Sequence, residues 1–270
     1  MRVTYIGHAT LLIEIGGKTI LTDPNFDAAL GKFLARVSRP GIELEALPKL
    51  DMILLTHAHA DHLSFKSLAA VERVPLYAPP AVARWIKRRG VCNAIELSPG
   101  ESVATGNLTV HAEIATHKGN RYGVDRWRQQ ANMYLIATKS ASVFFAGDTA
   151  LTPTTTRMVE RELGGRPLDI ALLPIGYAPS WKVGFRSGHL TSMDALTLFE
   201  RLGARYLIPY HWGTFNHVTS SAYDAIDEMR VYVTTHARGA DVRILEPGES
   251  LELPAMPALT TPYTLPPTLA

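Results

Sequence analysis

The chain has 270 residues and a mass of 29.6 kDa, enough for one enzyme-sized core, and 46% hydrophobic with 19% charged residues exclude a disordered, collagenous or coiled-coil protein. Lys and Arg number 27 against 25 Asp and Glu, a formal charge of +2, so bulk charge gives no reason to expect a nucleic acid or an anionic membrane as partner. A single cysteine, Cys92, excludes an internal disulfide and a thiolate metal cluster, which leaves any metal to carboxylates and to the 10 histidines.

The first residues carry only Arg2 as a basic start, and His8 and Glu14 break the apolar run, so they do not read as a secretion signal. No apolar run reaches the roughly 18 residues of a membrane span. A cytoplasmic protein with no membrane attachment is expected. β-branched runs predict strands over 3–6, 11–15 and 18–21, with Gly16-Gly17 as a two-residue hairpin turn between the last two. A strand is next expected over 52–55, a helix over 65–71, a strand over 76–78 and a helix over 81–88. Strands follow over 108–114, 133–138 and 142–146, then a helix over 154–163 and a strand over 170–174. The next helix, over 193–202, has a capping pair in Thr191 and Asp194 and a stop in Gly203. A strand over 206–209, a helix over 222–236 and a strand over 242–245 complete the set. Strands dominate and helices are spread through both halves, a pattern that suits an α/β (α+β) protein of two mixed sheets packed face to face with helices outside. No linker or repeat divides residues 1–253, read as one domain. Residues 254–270 hold five prolines and no charge and read as an extended tail, packed on the body or on a neighbouring copy, which leaves a homo-oligomer open.

The chemistry concentrates after the strand over 52–55, in Thr56-His57-Ala58-His59-Ala60-Asp61-His62. In an extended segment His57 and His59 point to the same side and can share one ion. Asp61 and His62 lie where the chain turns toward the next helix, which can aim them at a second ion. Each ion needs further ligands, and His117, Asp148 and His211 each stand just past an apolar strand, where a sheet edge holds side chains rigidly. Imidazole and carboxylate suit divalent Zn, and also Mn, Fe or Ni.

This ordered set of H-x-H-x-D-H, His, Asp and His resembles the signature of the metallo-β-lactamase superfamily. Gly147-Asp148-Thr149, His211-Trp212-Gly213-Thr214-Phe215, Gly7-His8-Ala9-Thr10 and Thr22-Asp23-Pro24 resemble the branch of L-ascorbate-6-phosphate lactonases and N-acylphosphatidylethanolamine-hydrolysing phospholipases D. The resemblance implies an αββα sandwich with two divalent transition-metal ions. It implies that His57, His59 and His117 hold the first ion and Asp61, His62 and His211 the second, with Asp148 bridging. A hydroxide between the ions is then the nucleophile, and the net positive site favours an anionic small-molecule substrate.

The absence of Cys at position 148 counts against drug-hydrolysing β-lactamases, His59 against flavodiiron oxidoreductases, and the short chain between Asp148 and His211 against clamp-bearing nucleases. A phosphodiesterase or lactonase is expected. Thioesterase or other carboxylic-ester chemistry is compatible with the same ligands, and a non-catalytic metal-binding protein is the rival from another class. Asp61 and His189 are expected to act in the reaction, His189 as general acid or oxyanion donor. Asp23 is a candidate to orient a ligand imidazole. His8, Arg121, Trp181 and Arg186 are the candidate substrate contacts.

Overall fold

The computed structural model describes residues 1–31, 34–121, 130–176, 186–216 and 220–254. The chain opens with β1 (Arg2–Gly7), β2 (Thr10–Ile15) and β3 (Lys18–Thr22), joined as antiparallel neighbours. Ile15 pairs with Lys18 across Gly16 and Gly17, whose φ of 60° and 74° are the left-handed values of the hairpin turn that glycine adopts without strain. A small hairpin of β4 (Ala29–Leu30) and β5 (Leu34–Ala35) stands apart as its own two-stranded sheet.

The chain then alternates strand and helix: β6 (Met52–Leu54), α1 (Phe65–Ala70), β7 (Leu76–Ala78), α2 (Pro80–Arg88) and β8 (Ala94–Glu96). The three strands add in parallel beyond β3, and β15 (Ser250–Glu252) closes the other edge against β1, giving a seven-stranded sheet ordered β15-β1-β2-β3-β6-β7-β8. A second sheet is made by β9 (Ser102–Thr105), β10 (Leu108–Ile114), β11 (Asn132–Ala137), β12 (Ser142–Phe145), β13 (Ile170–Pro174) and β14 (Tyr206–Tyr210), ordered β14-β13-β12-β11-β10-β9. It repeats the plan of the first: antiparallel from β9 to β12, parallel from β12 to β14. The parallel strands need crossovers, supplied by α3 (Arg157–Leu163) and α4 (Ser192–Leu202). Helix α5 (Asp224–Thr235) follows β14.

Side-chain alternation builds the layers. Leu11, Ile13, Ile15, Ile20, Met52 and Leu54 pack with Val110, Tyr134, Ile136 and Phe144 of the second sheet in one buried cluster, the sandwich core. Their neighbours Leu12, Leu21, Ile53 and Leu55 face the other way, against Leu68 of α1 and Val82, Trp85 and Ile86 of α2. The αββα expectation therefore holds.

Several details differ from the pattern read along the chain. The segment 242–245 makes a single bridge, Val242 to Leu207, instead of a strand. The helix expected from residue 154 begins at Arg157, after a turn tied by the hydroxyls of Thr152, Thr154 and Thr155, a local bonding that competes with helix. Strands β8, β9 and β15 had no apolar run to announce them. The capping box on α4 is present in full: the Thr191 side chain accepts from Asp194 N, the Asp194 side chain accepts from Thr191 N, and Gly203 ends the helix at φ 59°. No helix among the described residues is long and apolar enough to cross a membrane.

Candidate metal centre

Strand direction sets the position of the site. β1, β3 and β6 run one way in the first sheet, and β10, β12, β13 and β14 run one way in the second. Their C-terminal ends deliver His8, Asp23, residues 57–62, His117, Asp148 and His211 to one edge of the sandwich. Among the described residues, His8, Asp23 and His211 are the non-glycine positions with positive φ, at 55°, 32° and 72°. Such backbone costs about 1–3 kcal/mol each and survives only where the surroundings enforce it. Here all three sit at the ligand cluster.

Two groups of donor atoms converge. His57, His59, His117 and Asp148 offer atoms within 4.8 Å of one another, and so do His8, Asp61, His62 and His211. In the first group His57 Nε2 and His117 Nε2 stand 3.0 and 3.1 Å from His59 Nδ1. In the second, His62 Nε2 is 3.0 Å from His211 Nε2 and 3.9 Å from Asp61 Oδ2, and His211 Nε2 is 3.6 Å from the same carboxylate oxygen. Asp148 lies between them: Oδ2 is 3.8 Å from His57 Nε2, 3.9 Å from His117 Nε2 and 3.4 Å from His62 Nε2, while Oδ1 is 3.4 Å from His211 Nε2. The seven residues of the sequence motif are thus brought together.

The outer faces of the imidazoles explain which nitrogen points inward. His117 donates from Nδ1 to the Gly188 carbonyl at 2.8 Å, and His62 donates from Nδ1 to Asp23 Oδ2 at 2.7 Å. Thr56 gives its hydroxyl proton to Asp23 Oδ2 at 2.6 Å, so its oxygen accepts from His57 Nδ1 at 2.9 Å. With Nδ1 protonated, each ring turns Nε2 to the centre, the arrangement that metal-ligating histidines require. Asp23 therefore fixes two of the rings, one directly and one through Thr56. Two glycines allow the close approach. A Cβ on Gly176 would overlap the carbonyl and ring of His211, and Gly147, at φ +56°, would place one 2.8 Å from Thr56 Cγ2.

Burial decides the charge states. It holds His57 well below the ordinary imidazole value, with His62, His59 and His117 adding to the effect, and it lowers His59 as well. Burial likewise brings His117 down to about 3, with His189 and His59 adding to it, and His8 down to about 3, with His211 adding to it. For His62 burial also favours the neutral ring, but Asp148 and Asp61 outweigh it and hold the imidazole well above its usual range. Burial pushes both carboxyls up, yet His62 beside Asp61 and His211 beside Asp148 bring them well below the usual range.

The donor set fits a pair of divalent cations. Four-coordinate zinc with Zn–N of about 2.0–2.1 Å puts ligand atoms roughly 3.3 Å apart, close to the spacings above. Asp148 Oδ1 is buried with no hydrogen-bond partner, an unusual state for a carboxylate oxygen and one a cation would satisfy.

The remaining expected residues fall as follows. His189 Nε2 is 3.5 Å from Asp148 Oδ2, at the rim. His8 is 1% exposed, with Nε2 3.1 Å from Asp61 Oδ2 and its ring 3.9 Å from that of His211. Arg121 turns its guanidinium to the carbonyls of Ala58 and Leu63. Arg186 lies 3.5 Å from Asp194. Trp181 lies outside the described residues. Asn25 and Lys118, which border the centre, had no signal in the spacing of the motif.

A family profile described as a beta-lactamase superfamily domain matches residues 18–212. An N-acyl-phosphatidylethanolamine-hydrolyzing phospholipase D 1 of Caenorhabditis elegans is 29% identical over 238 residues, 82% of this chain and 66% of that protein. The chain thus spans less than two thirds of that relative's length. A UPF0173 metal-dependent hydrolase of Shouchella clausii is 30% identical over 259 residues, 94% of this chain and 100% of that protein. Among solved structures, an isothiocyanate hydrolase from Delia radicum gut bacteria superposes with a TM-score of 0.75 at 22% identity, covering 94% of this chain and 99% of that one, and so shares the fold.

Without metal, the buried rings make stability depend on pH. Between the ordinary imidazole value of 6.5 and about 3, the unfolded chain binds protons at His8 and His117 that the folded chain refuses, so their stabilisation is lost as pH falls. His57 and His59 act in the same sense; Asp61 and Asp148 add stability above 3.8 that is lost below it. His62 and Asp23 oppose them: each contributes stability below its ordinary value, 6.5 and 3.8, that is lost as pH rises through its raised value. Four rings outweigh these two groups. Urea melts of chelator-treated protein should show the midpoint falling as pH drops from about 7 to about 4.5; a flat or rising midpoint would contradict these charge states.

Proposed function

The chain belongs to the metallo-β-lactamase superfamily and is a metal-dependent hydrolase by family, and from that premise we propose that it hydrolyses a small anionic ester, a phosphodiester before a lactone, with two divalent cations. The observation that carries this reading is Asp148, a single carboxylate within 3.4–3.9 Å of ligand nitrogens of both groups. His57, His59 and His117 would hold one cation and Asp61, His62 and His211 the other, with Asp148 shared. When bound, such a pair ionises water at neutral pH and neutralises charge that develops on the attacked group.

The chain's own residues do the rest. His8 donates to Asp61 Oδ2 at 3.1 Å and so fixes that carboxylate, and Asp23 orients His62 and, through Thr56, His57. His189, with a side chain 18% exposed beside Asp148, stands where it can hand a proton to a departing alkoxide. A cavity of about 260 Å³ opens beside the first ligand group, lined by His59, His117, Lys118, Asn120, Ser187, Gly188 and His189. Its described walls carry no apolar side chain, and Lys118 supplies a cation, both of which favour an anionic headgroup. The worm relative's name denotes a phospholipase D, an enzyme of phosphodiesters, which supports the order of substrates.

Elemental analysis of purified protein should find about two transition-metal ions per chain, and Asp148→Ala should hold fewer and lose turnover. Metal-loaded protein should hydrolyse bis-p-nitrophenyl phosphate faster than simple lactones or thioesters; turnover of thioesters alone would overturn the substrate assignment. His189→Ala should keep the metal content and slow the reaction by about 10²–10⁴-fold, with the loss largest for substrates whose leaving group is most basic. Equal rates in variant and wild type would remove His189 from the reaction.

A further inference from the structure

The segment 57–63 carries four of the seven ligands on a stretch with no regular secondary structure, so something other than a helix or strand ladder must fix its path. Its carbonyls show what does. Thr56 O accepts from Asn132 N at 2.9 Å, and His59 O accepts from the amides of His62 and Leu63 at 3.2 and 2.8 Å, which forms the tight turn between the two ligand pairs. Four further carbonyls are met by two side chains from outside the motif. Asn25 Nδ2 donates to Ala60 O at 2.9 Å and to Asp61 O at 3.0 Å. Arg121 Nη1 donates to Leu63 O at 2.7 Å and to Ala58 O at 3.4 Å.

Both side chains are themselves held. Asn25 is 1% exposed, its Oδ1 accepts from Asp27 N at 3.0 Å, and its carbonyl accepts from Arg36 at 2.6 Å. The Arg121 guanidinium stands 5.6 Å from the centre of the Phe65 ring and 6.0 Å from that of Trp85, which meet edge to face. Its carbon is thus placed by two rings of α1 and α2 while its Nη1 reaches the loop. Arg121 had been expected to contact substrate; its hydrogen bonds go instead to the backbone beneath the ligands.

We propose that Asn25 and Arg121 are positioning residues that hold the ligand segment in its metal-binding path from its two sides, so that the donor atoms of His57, His59, Asp61 and His62 are arranged before a cation arrives. Each bond spans a ligand: Asn25 fixes the peptide of Asp61 itself, and Arg121 ties the residue between His57 and His59 to the residue after His62. Loss of either leaves backbone carbonyls to water and lets the segment sample paths in which the donors no longer converge, so a cation must then order them at its own expense. The proposal rests on the reading that these residues hold metal.

The test is the apparent zinc affinity of the full chain, from competition with a chromophoric chelator, at a temperature where circular dichroism shows every variant folded. Arg121→Met and Asn25→Ala should each weaken binding by about 10–100-fold, the range that outer partners of ligands command. Arg121→Lys, which keeps the charge and one donor to Leu63, should fall between Arg121→Met and wild type. Arg89→Met is the control: its guanidinium stands 5.1 and 5.5 Å from the same Phe65 and Trp85 rings, and its removal should leave zinc affinity unchanged. Wild-type affinity in both Arg121→Met and Asn25→Ala, or an equal loss in Arg89→Met, overturns the proposal. Zinc uptake by none of the proteins, wild type included, would instead overturn the metal centre on which it depends.

Discussion

Seven of the 10 histidines, His8, His57, His59, His62, His117, His189 and His211, crowd with Asp61 and Asp148 into one largely buried volume, and that crowding is unfavourable without a positive charge to share. His59 Nδ1 can offer at most one proton to the two ring nitrogens 3.0 and 3.1 Å away, and buried carboxylates cost several kcal/mol each to desolvate unless paired. The protein alone relieves part of this by keeping His57, His59 and His117 neutral and a proton on His62. The orphaned Oδ1 of Asp148 marks what is left. Divalent cations would convert the same arrangement from a liability into a set of bonds.

The rest of the fold serves this constraint. Two sheets with the same mixed plan lie face to face, and each contributes strands whose C-terminal ends reach the same edge. The apolar sandwich core and the outer helices make those ends rigid, so three strained residues can be held at the centre. Around the ligands, Asp23, Thr56, His8 and the Gly188 carbonyl set ring orientation, while Asn25 and Arg121 set the backbone that carries the rings. Hydrogen bonds thus connect the surrounding structure to the donor atoms of His57, His62, His117 and Asp61.

What could be read along the chain depended on whether its cause was local. That H-x-H-x-D-H and the three later candidate residues would converge was legible because each follows an apolar strand, a pattern written in consecutive residues. The same is true of the α4 cap and the Gly16-Gly17 turn. Strand β15 was not, since Ser250–Glu252 has no strand signature and exists because Arg2–Thr4, at the far end of the chain, offers an edge to pair with. Segment 242–245 failed in the opposite sense: its residues suit a strand, but only Val242 finds a partner, in Leu207. Arg121 illustrates the limit for function. A cation in a loop after His117 suggests a substrate contact, and only the carbonyls it meets in space assign it to the ligand segment.

The account stands on two cations sharing Asp148. Its most direct test is a crystal of zinc-loaded protein measured on both sides of the zinc absorption edge. Two anomalous peaks should appear, one among His57, His59 and His117 and one among Asp61, His62 and His211, with the Asp148 carboxylate between them. A single peak, or peaks away from these residues, would contradict it.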